Sequence, residues 1–208
     1  MTPVEIDWNC SRLDDCEGDP TVDECLFNLQ GVVNVAGKRA GLVEAHYLYV
    51  HEPEADYAFL EFWDLDALAC EIYEEIIAPS GETFRHPIPE FLDFTTGILC
   101  IHLIALRPEF RGIGIGRAVL RETIHTCADE RTGVVLLDSR PLQHRRGGYD
   151  SYDHEVRDLP WNKPAEDHQR LTSHLQSWGM HPVPRTRFLA AAAEVIEPDR
   201  ASTWAPAR

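Results

Sequence analysis

Leu106-Arg107-Pro108-Glu109-Phe110-Arg111-Gly112-Ile113-Gly114-Ile115-Gly116-Arg117-Ala118-Val119-Leu120 is the stretch from which the rest of the 208-residue chain can be read. Its three glycines alternate with isoleucines and lead into a segment with helical spacing. A glycine-dense loop that opens a helix can turn several backbone N–H groups inward. Those groups lie at the positive end of the helix dipole, and together they cradle an anionic phosphate. The residues after the last glycine decide the kind of phosphate site. A Walker loop needs Lys and then Ser or Thr, and here Arg117 and Ala118 follow. The dinucleotide fingerprint needs Gly-x-Gly-x-x-Gly, but Gly112, Gly114 and Gly116 give Gly-x-Gly-x-Gly, with Arg117 in the third required position.

Immediately upstream, Ile98 to Leu106 is a near-continuous apolar run, as expected of a strand buried on both faces. Pro108 stops it by removing a donor. Downstream, Val119, Leu120, Ile124 and Cys127 form the buried stripe of a helix expected to stop near Thr132-Gly133. Val134 to Leu137 reads as a second buried strand. Strand, glycine loop, helix and strand make a βαβ unit, whose two strands should be parallel neighbours.

Farther out, Val4, Ile6 and Trp8 alternate with polar residues and predict a short first strand. Ser11 to Glu24 is acidic, carries Gly18 and Pro20, and reads as a loop or frayed helix. Leu26 to Val35 and Leu42 to Val50 predict an antiparallel hairpin turning at Gly37-Lys38-Arg39. Leu65, Leu68, Ala69, Ile72 and Ile76 fall on one helical face, with Asp64 as N-cap and Pro79-Ser80-Gly81 as terminator. Phe84 to Phe94 reads as loop, and Gln143 to Gln169 as a long polar excursion. Leu171 to Trp178 reads as a helix stopped by Gly179, Arg187 to Ala193 as a last strand, and Pro198 to Arg208 as a tail.

Composition narrows the function classes. Hydrophobic residues make up 44% of the chain, enough for a core, and the formal net charge is −16. That charge argues against a nucleic-acid partner and against an anionic membrane surface. It suits either a cationic partner or simple solubility. The cysteines (10, 16, 25, 70, 100 and 127) contain no Cys-x-x-Cys pair and predict neither a metal site nor a disulfide framework. Scattered thiols, an N-terminus without a basic start or apolar stretch, and no run of ~20 apolar residues lead to the expectation of a cytoplasmic protein.

The glycine stretch resembles the acyl-CoA loop of the GNAT superfamily of N-acyltransferases, whose pattern is Arg/Gln-x-x-Gly-x-Gly/Ala. Arg111, Gly114 and Gly116 hold those positions, and Pro108-Glu109-Phe110-Arg111 is similar to the family's Pro-Glu-Tyr-Arg lead-in. The resemblance covers Ile98 to Asp138 and, more faintly, Leu171 to Phe188. There Leu175-Gln176-Ser177-Trp178-Gly179-Met180 resembles Tyr-x-x-x-Gly-Phe. It implies an α+β, three-layer fold. A mixed central sheet would run from early antiparallel strands into the parallel unit, with helices on both faces. It further implies one domain over residues 1–195, additions at about 64–94 and 143–169, and a tail over 196–208. The implied activity is transfer of an acetyl group from acetyl-CoA to a primary amine, by direct attack in a ternary complex. The acceptor would be a small molecule or peptide, cationic if the acidic surface selects it, and the resemblance also allows a homodimer. The backbone of Ile104, Ala105 and Leu106 would pair with the pantetheine arm. The segment Arg111, Gly112, Ile113, Gly114, Ile115, Gly116, Arg117 and Ala118 would bind the cofactor, its N–H groups and Arg117 holding the pyrophosphate.

Acyl transfer to an amine needs a base for the ammonium, a donor for the thioester oxyanion and an acid for the leaving thiolate. His102 lies on the strand before the loop and is expected to alternate with Cys100, Ile104 and Leu106 on one face. The resemblance implies that it is the base, since arylalkylamine-type members carry a histidine on this strand. A core histidine bonded to backbone is the other reading. Glu44 is a second candidate, with His46 on the same face, and an outward strand carboxylate is its alternative. The family's tyrosine acid is replaced by Leu175. His174 is adjacent, and Tyr149 or Tyr152 offers another hydroxyl. Asp138, Ser139, Arg145 and Arg146 are further candidates for the cleft or a CoA phosphate. A non-catalytic acyl-CoA sensor or assembly module is the alternative function.

Overall fold

The computed structural model describes residues 3–12, 26–49, 72, 76, 97–128, 132–142 and 163–193. They build one seven-stranded sheet in the order β1-β2-β3-β4-β5-β7-β6. The strands are β1 (Val4–Arg12), β2 (Leu26–Val35), β3 (Lys38–Tyr49), β4 (Gly97–Leu106), β5 (Thr132–Asp138), β6 (His181–Pro182) and β7 (Phe188–Ala191). Two helices accompany them, α1 (Ile115–Cys127) and α2 (Pro164–Gln176).

β1 to β4 are antiparallel, β4 and β5 are parallel, and β7 returns antiparallel to β5. In β1 the alternation works as a strand should. Val4, Ile6 and Trp8 pack on the core while Glu5, Asp7 and Asn9 face outward. The strand is longer than its sequence suggests, because pairing with β2 extends through Ser11↔Asn28 and Arg12↔Phe27. The acidic composition after Ser11 hid that extension. The β2–β3 hairpin turns at Ala36 and Gly37, at φ 50° and 71°. Two consecutive positive φ values match the right-handed twist of the flanking strands. Lys38 and Arg39, expected in the turn, therefore open β3.

α1 buries Ile115, Val119, Leu120, Thr123, Ile124 and Cys127 at intervals of one helical turn. It ends when Ala128 becomes extended, at φ −91° and ψ 138°. Thr132-Gly133, expected at its end, instead opens β5, where Gly97↔Thr132 begins the parallel pairing. α2 starts at Pro164 rather than Leu171, so 164–169 is helix and not part of a polar excursion. Proline suits the first helical position because its missing N–H would have had no partner there, and Glu166 and Asp167 favour the positive end of the dipole. Gly179, at φ 96°, ends the helix as expected. Met180 N–H bonds Leu175 C=O at 3.3 Å and Gly179 N–H bonds Gln176 C=O at 3.0 Å, the Schellman pattern.

The sheet is covered on both faces. On one, α1 packs with Leu29, Val33, Val43, Tyr47, Leu99, Ile101, Val135 and Leu189 in a single cluster. On the other, Ile98, Cys100, Leu103, Val134, Leu136 and Phe188 are buried outside that cluster. Ile72 and Ile76 are helical and fully buried, in keeping with the predicted stripe. The other residues of the helix expected from Asp64, the loop expected at Phe84 to Phe94, Tyr149, Tyr152, Arg145, Arg146 and the expected tail lie outside the described residues.

Candidate functional site

The site arises where two strands part. β4 and β5 pair from Gly97↔Thr132 to Ile101↔Leu137, and the pairing stops there. Asp138 pairs with Phe188 of β7 instead. Beyond Ile101, β4 keeps partners only on its β3 side, from Glu44↔Leu103 to Gly41↔Leu106. Among the described residues, no strand pairs with the β5-facing edge of residues 103–106, and an exposed edge of this kind is one onto which an extended ligand can add.

The parting coincides with a β-bulge. Ala45 pairs with Ile101 and Glu44 with Leu103, so His102 is the extra residue. A bulge bends its strand and increases the local twist, which carries the end of β4 away from β5. It also shifts the alternation by one. Leu99 and Ile101 belong to the α1-side cluster before the bulge, and Ile104 and Leu106 pack on that cluster after it. His102 therefore shares a face with Cys100 but not with Ile104 and Leu106, which corrects the alternation expected from the sequence.

After β4 the chain is pinned before it enters the loop. Arg107 N–H bonds Ala40 C=O at 2.9 Å, and Pro108–Phe110 forms a 3-10 turn. The Arg111 Nε donates to the Leu106 carbonyl at 2.7 Å, closing the loop back onto the strand. Gly112 and Gly114 take φ of 72° and 88°. Only glycine holds such angles without strain, and a β-carbon at either would meet nothing within 4 Å. Gly114 is the N-cap of α1 and supplies no side-chain cap, so the first-turn N–H groups are left to backbone or ligand.

Loop and strands enclose a cavity of about 1070 Å³. His102, Ile104 and Leu106 line it from β4, and residues 111–118 with Arg121 from the loop and α1. Leu137, Asp138, Arg140 and Leu142 line it from the end of β5, and Leu171, His174, Leu175 and Trp178 from α2. Four arginines (111, 117, 121 and 140) thus line this wall against a single carboxylate, that of Asp138. The whole chain has the opposite balance, with 35 acidic and 19 basic residues. A local excess of guanidinium in so acidic a protein makes this wall electrostatically favourable to an anion.

Asp138 is the best-anchored charge here. Its side chain is 1% exposed and accepts from Arg140 Nη2 at 2.8 Å and from Arg187 Nε at 3.2 Å. Arg140 also donates its backbone N–H to the same carboxylate at 2.8 Å. Burial lowers the Arg187 guanidinium to about 10 despite this partner, which leaves it charged at neutral pH. Ser139 instead bonds the Arg187 carbonyl at 2.6 Å, tying the end of β5 to the approach to β7.

The candidate acid–base residues separate in space. His102 is half-buried on the cavity wall and stacks on His46 at 4.8 Å. Glu44 lies on β3 beside the bulge, opposite Leu103, and does not line the cavity. His174 lines it from α2, edge-on to Trp178 at 4.6 Å. Ile104 and Leu106 reach the wall, whereas the Ala105 side chain is buried at 1% exposure. Arg121, Arg140, Leu142 and Leu171 are wall residues that the sequence reading did not pick out. Arg121 had a signal, since it stands one helical turn after Arg117 on the same face. Arg140 had none, because only the end of β5 brings it to the cavity.

Among the described residues, no group of three or more His, Cys, Asp or Glu is placed to hold a metal ion. Among them too, no helix is long and apolar enough to cross a membrane. Comparison of the chain with protein-family models, with curated proteins and with solved structures gave no match.

Proposed function

We propose, from the premise that this chain has the GNAT fold, that it binds acetyl-CoA or a close acyl-CoA and transfers the acyl group to a primary amine. The premise is its topology: a mixed seven-stranded sheet, a parallel β4–β5 pair joined through a glycine loop and α1, and helices on both faces. The observation that carries the proposal is the conjunction at the cavity. An uncapped helix start and three arginines (111, 117 and 121) meet the open edge of β4. The residues present fit an acyl-CoA. A diphosphate matches the first-turn N–H groups and the guanidiniums. An extended amide-bearing arm matches the strand edge at 103–106.

When bound, the acyl thioester supplies an electrophilic carbonyl carbon. His102 stands at the bulge, where the strands part, and accepts a proton from the acceptor ammonium, since imidazole titrates near neutrality. The neutral amine nitrogen then forms the new bond to carbon as the carbon–sulfur bond breaks and the thiolate leaves, and the nitrogen sheds its second proton to solvent to give the neutral amide. Backbone N–H groups at the bulge are the candidate donors toward the carbonyl oxygen. His174, on the opposite wall, is the candidate to return a proton to sulfur. Glu44, beside the bulge, favours the imidazolium by its charge. The acceptor is taken to be cationic from the net charge of −16. Cys10, Cys100 and Cys127 form no disulfide among the described residues, which suits a reducing compartment such as the cytoplasm.

The test is thiol release from acetyl-CoA against a panel of amines, with His102→Ala alongside. Release with at least one amine, falling about a hundredfold in His102→Ala, is the expected result. Unchanged release in the variant would remove His102 as base. A second reading, a non-catalytic acyl-CoA binder, is favoured by one observation: Leu175 stands where the family carries its tyrosine acid and is 3% exposed in an apolar setting. Tight binding of CoA in calorimetry with no release from any amine would support it.

A further inference from the structure

His46 and His102 reach each other from adjacent strands, His46 from β3 opposite Cys100 and His102 from the bulge of β4. Their ring centres are 4.8 Å apart and their planes differ by 28°, a stacked pair. His102 is half-buried and lines the cavity, while His46 is 4% exposed and stays off its wall. We propose that His46 is a positioning residue for His102, a ring that stays neutral, holds the His102 imidazole in plane, and presents its π-face to the imidazolium that forms there. The proposal rests on the reading of His102 as the proton acceptor.

Two physical arguments order the protons. Unit charges 4.8 Å apart repel strongly enough to separate the two titrations by roughly two pH units, so near neutrality the pair carries at most one proton. Desolvation penalises charge on the more buried ring, so the first proton goes to His102. A neutral ring stacked on it then attracts the cation through its face. Among the described residues, the other titratable or charged groups are Cys100 on β4 and Glu44 on β3 beside the bulge, and, lining the same cavity as His102, Arg111 on the loop, Arg117 and Arg121 on α1, Asp138 at the end of β5 with Arg140, and His174 on α2. Glu44 favours the imidazolium, and Asp138 is already shared between two guanidiniums.

The experiment is an NMR titration of the histidine rings of the full chain from pH 5 to 8, with His102→Asn and His46→Phe used for assignment. In the wild type, His102 is expected to titrate and His46 to stay neutral through the range. His46→Leu, which removes the face, is expected to lower the His102 midpoint by ~0.5 unit. His46→Phe, which keeps a flat ring, is expected to restore it. His46 taking the first proton would overturn the proposal, as would a His102 midpoint unmoved or raised in His46→Leu. If His46→Leu fails to fold, the wild-type proton order together with His46→Phe decides. The titration uses the chain without acyl donor or amine. Its failure overturns the histidine pair alone, and acyl transfer is judged separately by thiol release.

Discussion

At the scale of single residues, Gly114 and Gly116 look alike in the sequence but differ in what they require. Gly114 holds φ 88° at the N-cap of α1. A side chain there is strained by about 1–2 kcal/mol. Gly116 is inside the helix, and its added β-carbon would sit 3.5 Å from the Trp178 ring, an ordinary contact. Gly114→Ala should therefore lower the melting temperature by roughly 2–8 °C and weaken CoA binding in calorimetry. Gly116→Ala should melt no lower than the wild type, and an equal loss of stability in both would refute the distinction. Asp138 makes a sharper case. Asp138→Asn leaves Arg187, 12% exposed, without its carboxylate. Breaking a buried pair from one side costs roughly 3–5 kcal/mol, readable as a drop in the urea midpoint.

At the scale of elements, the bulge in β4 sets the site. Pairing on either side of it is regular, Ala45↔Ile101 and Glu44↔Leu103. Deleting His102 would remove the extra residue and leave both flanking pairs in register. The chain should still fold, with an unchanged far-ultraviolet circular dichroism spectrum. Its affinity for CoA should fall at least about tenfold, because the bend that parts β4 from β5 is lost. An affinity equal to the wild type would mean that the strands separate for another reason. A second constraint lies one strand away. A β-carbon on Gly41 would sit 2.1 Å from the Ala105 carbonyl oxygen, so β3 can pass β4 there only as glycine. Gly41→Ala must displace the end of β4, with a cost of about 1–3 kcal/mol and a matching fall in urea midpoint.

At the scale of the whole molecule, charge is divided along the chain. Residues 13–25 and 51–96 together hold eighteen Asp and Glu against a single arginine, Arg85, leaving the remainder near neutral. The described residues that flank them, Arg12, Leu26, Tyr49 and Gly97, lie at one end of the sheet, as the registers Arg12↔Phe27, Leu26↔Leu48 and Tyr49↔Gly97 require. The glycine loop leaves from the opposite end, after Leu106. A net charge of −16 repels an anionic coenzyme at long range, while the cavity arginines attract it at contact. Screening acts over ~10 Å at 0.1 M salt, so the nearby arginines should dominate. CoA affinity measured by calorimetry should fall as salt is raised. A rise would show that global repulsion controls binding.

Much of this was legible from local pattern. The strand–glycine loop–helix–strand order, the hairpin, the helix stop at Gly179 and the left-handed backbone at Gly112 and Gly114 each follow from a few consecutive residues, because apolar period, glycine and proline act through the local backbone. The chain itself determined those. What it could not express were the shift of alternation at His102, the β5 pairing that claims Thr132-Gly133, the start of α2 at Pro164, the arrival of Arg140 at the cavity and the stacking of His46 on His102. Each depends on which segment lies alongside which. Inter-strand register and packing between elements distant in sequence are properties of the folded sheet, so only the tertiary structure decided them.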